Sequence, residues 1–339
     1  MSPAARPIPT PYNVASSQIQ QALAHSFRSP TEYPSAPWHA FTAATGPLLP
    51  GTVWVVGARP NQGKTSLLAA LFSHFFRAGI PALYGISGDG GPTRLRRVLG
   101  ALHCGLLRRA VLRNAWAEAS DTLSADEAFA LFCDELRQQE AWADVGMVYD
   151  LPVLDRPSVR AAIKFGLANG MRVMVVDHVN RWSPAQGADL TRDLRDAVED
   201  LAATAAAKDF TLILAAQITP WGKEGRNALS EFVCPPLSAL KQTQALVEEP
   251  HVVVLLHRAR RPDVTAADVR AAAIGQKQAR DLIEPGILCA TIGKHRDDDT
   301  VGTTVRLRID RTGFISDADA VRERQPGEEP GQEADDLPF

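Results

Sequence analysis

Short, continuous apolar runs alternate along the chain with longer segments in which apolar residues recur every three or four positions. Continuous apolar runs are typical of strands that are covered on both faces, and the longer segments have the periodicity of helices. The pattern predicts an α/β fold in which helices flank both faces of a mostly parallel, twisted sheet. The predicted parallel strands are TVWVVGA (52–58), PALYGIS (81–87), RVMVVD (172–177), TLILAAQ (211–217) and HVVVLLH (251–257).

The pattern changes after the fifth apolar run. GILCATIGK (286–294) and TTVRLRID (303–310), followed by TGFIS (312–316), predict an antiparallel finish to the sheet. Residues 92–140 are predicted to be mostly helical, and residues 258–284 to form a basic insertion that contains a helix.

The two ends differ in composition from the centre. Residues 1–45 are rich in Pro, Ser and Ala and predict a flexible arm. Within this arm, residues 13–27 have one apolar face and could form a docking helix, although a wholly disordered arm fits the composition equally well. Residues 46–318 are predicted to form one folded domain, and residues 319–339 a disordered acidic tail.

Composition limits the functional classes. The 339 residues include 36 Lys and Arg against 39 Asp and Glu, a net charge of −3, so any binding to nucleic acid must come from local basic patches. The four cysteines lack CxxC spacing, which argues against a zinc site or a disulfide framework and fits a reducing compartment. Because no apolar run is long enough to span a bilayer, we expect a soluble, cytoplasmic protein without membrane contact.

The first strand leads into a candidate phosphate-binding loop. Gly63, Lys64 and Thr65 follow the strand and open a helix with one apolar face, which is the context of a P-loop. The strict motif has glycine where this chain has Ala58, and Gly57 stands one residue too early. A chance Gly-Lys-Thr at an ordinary helix start is the alternative. The candidate nucleotide-binding residues are Ala58, Arg59, Pro60, Asn61, Gln62, Gly63, Lys64, Thr65 and Ser66.

Three further polar residues end or follow predicted strands. Asp177 ends RVMVVD and is a candidate to hold Mg²⁺, together with Thr65. Asp89 is the sole carboxylate in YGISGDGG and could orient the attacking water, while Gln217, at the end of TLILAAQ, could contact the γ-phosphate. Each of them could instead be an ordinary turn residue.

The order of RPNQGKTS, ISGDGG, VMVVDHVN, LILAAQ and IGKHR resembles the RecA-like P-loop motor domain of DnaB-type replicative helicases, over roughly residues 40–316. Alanine in place of the first P-loop glycine is also similar to that family. The resemblance implies ATP and Mg²⁺ as cofactors, Asp177 as the metal-site acid and Gln217 as the sensor. It further implies that Lys294 and Arg296 reach into the neighbouring subunit's site, within a homo-oligomer that is a hexameric ring.

Two departures from the family pattern change these expectations. Asp89 stands where the family usually has glutamate, so hydrolysis is expected to be slow or the water to be held differently. The roughly 45 leading residues are too few for the family's helical N-terminal domain, so we expect loading to depend on something else.

Two loops are predicted to contact single-stranded DNA. The first carries Arg181 and Trp182, and the second carries Trp221, Lys223 and Arg226. Basic side chains neutralise backbone phosphates, and an exposed indole can stack on a base. The alternative for each tryptophan is that its ring packs beneath the loop.

The last five residues, Asp335, Asp336, Leu337, Pro338 and Phe339, resemble the C-terminal tip of bacterial single-stranded-DNA-binding proteins. The resemblance implies docking to replication or repair proteins. A solubilising acidic tail, or a tail that competes with DNA for the basic loops, fits the same residues.

Three functions remain open at this point. The leading hypothesis is an ATP-dependent helicase or translocase on single-stranded DNA in replication or repair. The second is a RecA-like mediator that coats single strands without unwinding. The third is a nucleotide-switched adaptor in which Asp89 marks weak or absent hydrolysis.

Overall fold

The computed structural model describes residues 33–87, 91–141, 146–218, 234–240, 244–265 and 279–318, together with residues 267, 268 and 271. Within these ranges one nine-stranded sheet has the order β3-β2-β4-β5-β1-β6-β7-β8-β9. Its strands are β1 Val53–Ala58, β2 Ala82–Ile86, β3 Gly146–Asp150, β4 Val173–Asp177, β5 Thr211–Gln217, β6 Val252–Arg260, β7 Ile283–His295, β8 Thr304–Ile309 and β9 Ile315–Asp317.

Helices cover both faces of this sheet, and apolar residues from the strands and helices form one core cluster on each side. In the described residues, every helix is too short or too polar to cross a membrane. The α-helices are α1 His39–Thr45, α2 Lys64–Arg77, α3 Gly91–Cys104, α4 Arg108–Arg113, α5 Ala125–Ala141, α6 Arg156–Ala168, α7 Leu190–Lys208 and α8 Ala245–Glu248.

The predicted architecture is confirmed. Strands β3, β2, β4, β5, β1 and β6 pair in parallel, and β6 through β9 pair antiparallel. Parallel strands bury both faces, which explains why the apolar runs of β1, β2 and β4 are continuous and fully buried. The carboxyl ends of the parallel strands meet at one edge, which the P-loop also occupies.

The edge strand β3 was missed by the apolar pattern. It pairs with β2, and its residues are half-buried or exposed. An edge strand that is covered on one side does not need a continuous apolar run. The basic insertion is also shorter than predicted, because β6 continues to Arg260 and β7 begins at Ile283. Most of the helix predicted there lies outside the described residues.

The predicted N-terminal arm ends inside the folded domain. Trp38 is buried, and its indole N–H donates to the carbonyl of Ile315 at 2.8 Å. The carboxylate of Asp317 accepts hydrogen bonds from the backbone N–H groups of His39 and Ala40 at 2.8 and 3.3 Å. Residues 33–45 therefore pack on the antiparallel end of the sheet rather than belonging to a free arm. The docking helix predicted at 13–27 lies outside the described residues.

Candidate functional site

The P-loop leaves β1 at Ala58 and enters α2 at Lys64. Gly63, the N-cap of α2, has φ 83°, and a Cβ there would lie 3.2 Å from Leu288 Cδ1, so both conformation and space favour glycine. Gly63 has no side chain with which to cap the helix. The first backbone N–H groups of the 14-residue α2 have no intrahelical acceptor, and the helix dipole favours an anion at this end.

Gly57, the glycine that stands one residue too early, has a packing role. A Cβ at Gly57 would lie 2.9 Å from Leu240 Cδ2 and 3.2 Å from Ile218 Cδ1. Ala58, which occupies the position of the first motif glycine, is fully buried in the core. The glycine thus lets the side chains of Leu240 and Ile218 pack closely on β1.

Asp177 gathers three donors at the carboxyl end of β4. Its side chain is buried, and Lys64 Nζ lies 3.7 Å from Oδ1. The hydroxyls of Thr65 and Tyr84 donate to Oδ2 at 3.1 and 2.9 Å. Burial lowers the pKa of Lys64, an effect partly offset by Asp177, and burial together with Asp177 raises the pKa of Tyr84 well above its usual range. Tyr84 therefore stays a proton donor to the carboxylate.

The cluster fits a divalent cation. Oδ1 of Asp177 is buried and has no hydrogen-bond partner among the described residues. The other oxygen of the same carboxylate, Oδ2, accepts from the Thr65 hydroxyl at the start of α2, so two oxygen ligands suited to a hard cation meet where phosphates would bind. Mg²⁺ keeps several waters and needs few protein ligands. In the described residues no group of three or more His, Cys, Asp or Glu could hold a metal.

Gln217 lies beside the P-loop. It is in register with Ala58 on the neighbouring strand, and the next residue, Ile218, donates its N–H to the Ala58 carbonyl at 2.8 Å. The side-chain amide of Asn180 donates to the Gln217 carbonyl at 2.7 Å and accepts from the Gln217 N–H. This double contact joins the turn after β4 to the end of β5.

Two side chains next to the P-loop helix were missed in the sequence. Tyr84 lies inside an apolar strand, and a buried tyrosine hydroxyl usually needs a partner, so a weak signal was present. Arg108, at the start of α4, donates from Nη1 to the hydroxyl of Ser66 at 2.6 Å. It lies far from the P-loop in sequence, in a segment with several other arginines, so no motif singled it out.

Lys294 and Arg296 lie away from the P-loop of their own chain. The strand registers place Lys294 opposite Val253, which in turn lies opposite Val55 of β1. The P-loop leaves β1 at Ala58, so it begins about 10 Å further along the strand direction. Arg296 lies beyond Lys294, at the end of β7 that is more distant from the P-loop.

The side chains of this basic pair bind the end of α8. Lys294 Nζ donates to the carbonyls of Val247 and Glu248 at 2.7 and 2.5 Å. Arg296 donates to the carbonyls of Glu248 and Glu249 at 2.7 and 2.8 Å. Both cations thus satisfy backbone carbonyls at a helix C-terminus.

The prediction that Trp182 stacks on DNA bases is wrong. Its ring is 6% exposed, and its indole N–H donates to the Asp193 carboxylate on α7 at 2.7 Å. The following residue, Ser183, donates its backbone N–H to Leu154 at 2.7 Å. The tryptophan therefore packs beneath its loop, while the neighbouring Arg181 is exposed.

Several predicted site residues lie outside the described ranges. Asp89 falls in residues 88–90, and the second predicted DNA loop falls in residues 219–233. The predicted docking tip lies in residues 319–339. The residues concerned are Asp89, Trp221, Lys223, Arg226, Asp335, Asp336, Leu337, Pro338 and Phe339.

The fold is similar to solved ATPase structures. A DnaB-like replicative helicase matches 90% of this chain and 68% of its own, with a TM-score of 0.66 and 15% identity. A second solved structure, which is an ATPase domain, matches 90% of this chain and 99% of its own, with a TM-score of 0.67 and 15% identity. The RadB recombinase matches 84% of this chain and 98% of its own, at 17% identity with a TM-score of 0.47. No protein-family model and no curated protein sequence matches the chain.

Identities this low establish the fold alone. The mostly parallel sheet with flanking helices is a RecA-like fold of the kind found in the ATPase domains of DnaB-like helicases. In such α/β sheets ligands bind at the carboxyl ends of the strands, which is where Lys64, Thr65 and Asp177 meet.

Proposed function

We propose that the chain is an ATP-dependent motor that binds single-stranded DNA and acts as a helicase or translocase in replication or repair. One observation carries the proposal. At the start of α2, Lys64 and Thr65 converge on a buried aspartate, one oxygen of which has no hydrogen-bond partner among the described residues. A cluster with open hydrogen-bonding capacity at an uncapped helix N-terminus is suited to Mg²⁺ and a triphosphate.

The proposal gives each candidate residue of the nucleotide site a role. Lys64 exchanges its long contact with Asp177 for phosphate oxygens, and the backbone N–H groups of the first turn of α2 bind the same oxygens. Thr65 and Asp177 hold Mg²⁺, which would neutralise phosphate charge when bound. Asp89 orients the attacking water, and Gln217, next to the P-loop, contacts the γ-phosphate.

Assembly completes the site in this proposal. The backbone positions of Lys294 and Arg296 lie towards the far end of β1 from the P-loop, so a neighbouring copy is better placed to receive these side chains. Head-to-tail contacts of this kind close into rings, and we propose a hexamer. The pair must then leave the carbonyls at the end of α8 when it reaches a nucleotide. Hydrolysis consequently depends on subunit contact.

DNA contact is assigned to basic side chains rather than to Trp182. Arg181 is exposed in the turn after β4, and Lys223 and Arg226 follow β5 in sequence, so both loops leave the same edge of the sheet. Trp221 stays a candidate for base stacking. The acidic tip at 335–339 is proposed to dock replication or repair proteins, and the compartment is proposed to be the cytoplasm.

The test is phosphate release with and without single-stranded DNA, followed by opening of a forked duplex. We expect DNA to stimulate the wild type, Lys64→Ala to abolish turnover, and Asp89→Asn to reduce it strongly. ATP binding without turnover in the wild type would favour the nucleotide-switched adaptor, for which the short Asp89 carboxylate is the supporting feature. Turnover that is indifferent to DNA and to both substitutions would contradict the motor.

A further inference from the structure

Arg108 reaches the P-loop helix from a different part of the chain. Its Nη1 donates to the hydroxyl of Ser66, in the first turn of α2, at 2.6 Å. On another side it approaches the turn between β8 and β9, where a Cβ at Gly313 would lie 3.7 Å from Arg108 Cδ. The buried Tyr84 is close enough to interact electrostatically with it. The guanidinium is therefore held between α2, β2 and the last turn of the sheet.

The charge on Arg108 lacks an anionic partner in the described part of the chain. Its hydrogen bond there goes to a neutral hydroxyl, and no described carboxylate forms an ion pair with it. Burial, followed by the charge of Arg94, lowers the pKa of Arg108, although an arginine remains charged in a protein. A guanidinium has five N–H donors, and leaving a half-buried cation without an anion is unfavourable. The surroundings of Arg108 thus favour the binding of an anion.

A phosphate group is the anion that the geometry suits. The hydroxyl that holds Arg108 belongs to the same helical turn whose backbone N–H groups lack intrahelical acceptors. An anion bound by those N–H groups would lie at the same helical turn as the hydroxyl that Nη1 of Arg108 contacts. The planar fork of arginine matches phosphate oxygens in two-point hydrogen bonding.

We propose that Arg108 is a further phosphate-binding residue of the nucleotide site, exchanging its hydrogen bond to Ser66 for the phosphate chain of a bound nucleoside triphosphate. The proposal rests on the function proposed above and deepens it. It gives the site a cation from a separate helix of the same chain, independent of the P-loop residues and of the pair that a neighbouring subunit would supply. Nucleotide affinity should then depend on Arg108 even where subunits do not meet.

The experiment titrates the full-length protein with a fluorescent ATP analogue and Mg²⁺. We expect Arg108→Gln to weaken binding by about 10- to 100-fold, the range for the loss of a charged hydrogen bond. Arg108→Lys keeps the charge but loses the fork, so we expect an intermediate affinity. Arg109→Gln is the matched control, because Arg109 is the exposed neighbour on the same helix, and it should bind within about twofold of the wild type.

A second readout separates binding from a structural role. Without nucleotide, the thermal midpoint of Arg108→Gln should be close to that of the wild type, and the rise that Mg-ATP produces should be smaller. Wild-type affinity in both Arg108 variants, or a lowered midpoint with an unchanged nucleotide-induced rise, would overturn the inference. Binding that requires Lys64 but not Arg108 would overturn this inference alone. Absence of nucleotide binding by the wild type would overturn the proposed function as well.

Discussion

The two ends of α2 carry two polar clusters of opposite character. At the start of the helix, Lys64 and Thr65 surround Asp177. Near its end, the hydroxyl of Ser73 lies 2.6 Å from His103 Nε2, and His103 Nδ1 lies 2.7 Å from Glu135 Oε1. Both clusters are largely buried, and both join elements that are distant in sequence.

They differ in whether their hydrogen-bonding capacity is used. In the Ser73 cluster, hydroxyl, imidazole and carboxylate form one continuous chain that joins α2, α3 and α5, and the His103 ring stacks on Phe76 at 6.1 Å between centroids. In the Asp177 cluster, one carboxylate oxygen has no described hydrogen-bond partner, and the ion pair to Lys64 is long at 3.7 Å. A network whose polar atoms are all hydrogen-bonded is typical of a structural role, whereas an open carboxylate oxygen at a helix N-terminus suits the proposed ligand site.

The order Ser73, His103, Glu135 is that of a hydrolase triad, but the surroundings exclude that chemistry. Ser73 is 5% exposed in the second half of α2, where its own N–H and those of its neighbours bond to carbonyls of the preceding helical turn. Within this part of α2 no backbone N–H is left to form an oxyanion hole. The adjoining cavity, of about 30 Å³, has room for about one water molecule.

The largest expected effect is on the Mg²⁺-dependent binding of nucleotide at the Asp177 cluster. Asp177→Asn should remove most of the gain in nucleotide affinity that Mg²⁺ produces, a loss of about 10- to 100-fold, because the orphan oxygen loses its negative charge. Calorimetric titration with and without Mg²⁺ measures this gain. Asp209→Asn is the matched control, since Asp209 is a helix C-cap with φ 59°, a conformation that asparagine also adopts. An equal Mg²⁺ gain in Asp177→Asn and the wild type would contradict the assignment.

Substitution in the Ser73 cluster should lower the stability of the protein and leave its affinity for nucleotide unchanged. His103→Leu removes the partner of the Ser73 hydroxyl and leaves the Glu135 carboxylate with the longer 3.4 Å hydrogen bond from Gln139, so we expect the free energy of unfolding to fall by about 2–4 kcal/mol. Urea denaturation measures this free energy. The control is His39→Leu, at an exposed position, which should change the free energy of unfolding by less than about 0.5 kcal/mol. A His103→Leu protein that stays stable but no longer binds nucleotide would reverse the roles of the two clusters.

Trp182 and Arg181 are expected to differ in the same way, the first as a structural residue and the second as a DNA-binding residue. Trp182→Phe removes the hydrogen bond to Asp193, so we expect about 1–2 kcal/mol of lost stability and unchanged affinity for single-stranded DNA. Arg181→Ala should weaken DNA binding with little effect on stability, because Arg181 is exposed. Fluorescence anisotropy of a labelled oligonucleotide separates the two. Weaker DNA binding by a fully stable Trp182→Phe protein would restore the stacking role.

The smallest effect is a pH dependence near the basic pair. Burial, followed by the charge of Arg296, lowers the pKa of His251, whose Nδ1 accepts the Val53 N–H at 3.2 Å. The unfolded chain takes up this proton near pH 6.5 and the folded chain only at lower pH, so stability falls as pH drops from about 7 to 5. His251→Asn should show a smaller fall in unfolding free energy over this range. His39→Asn is the control. If the unfolding free energy of His251→Asn fell between pH 7 and 5 by as much as that of His39→Asn, the prediction would be contradicted.

Local features of the sequence predicted most of the fold and the core of the site. The strands of the parallel half are recognisable because burial on both faces requires continuous apolar runs, and the P-loop because its glycine, lysine and threonine are adjacent. Edge strand β3 has no such run. The orientation of Trp182 could not be predicted, since it depends on Asp193 of a later helix.

Arg108 shows most clearly which contacts the sequence could not predict. It contacts Ser66 from a separate helix, and no spacing in the sequence relates the two. Lys294 likewise lies at the end of its strand that points away from the P-loop, and this position follows from the register of β6 and β7, which is a tertiary property. Motifs therefore predicted the residues next to the P-loop, and packing determined which distant side chains join them.

The most direct test of the account measures stability with and without Mg-ATP in proteins altered at one end of α2 or the other. We predict that Mg-ATP raises the thermal midpoint of the wild type and of His103→Leu by the same increment, and that Lys64→Ala shows no rise. An equal rise in Lys64→Ala, or no rise in the wild type, would show that the open cluster at the start of α2 is not a nucleotide site.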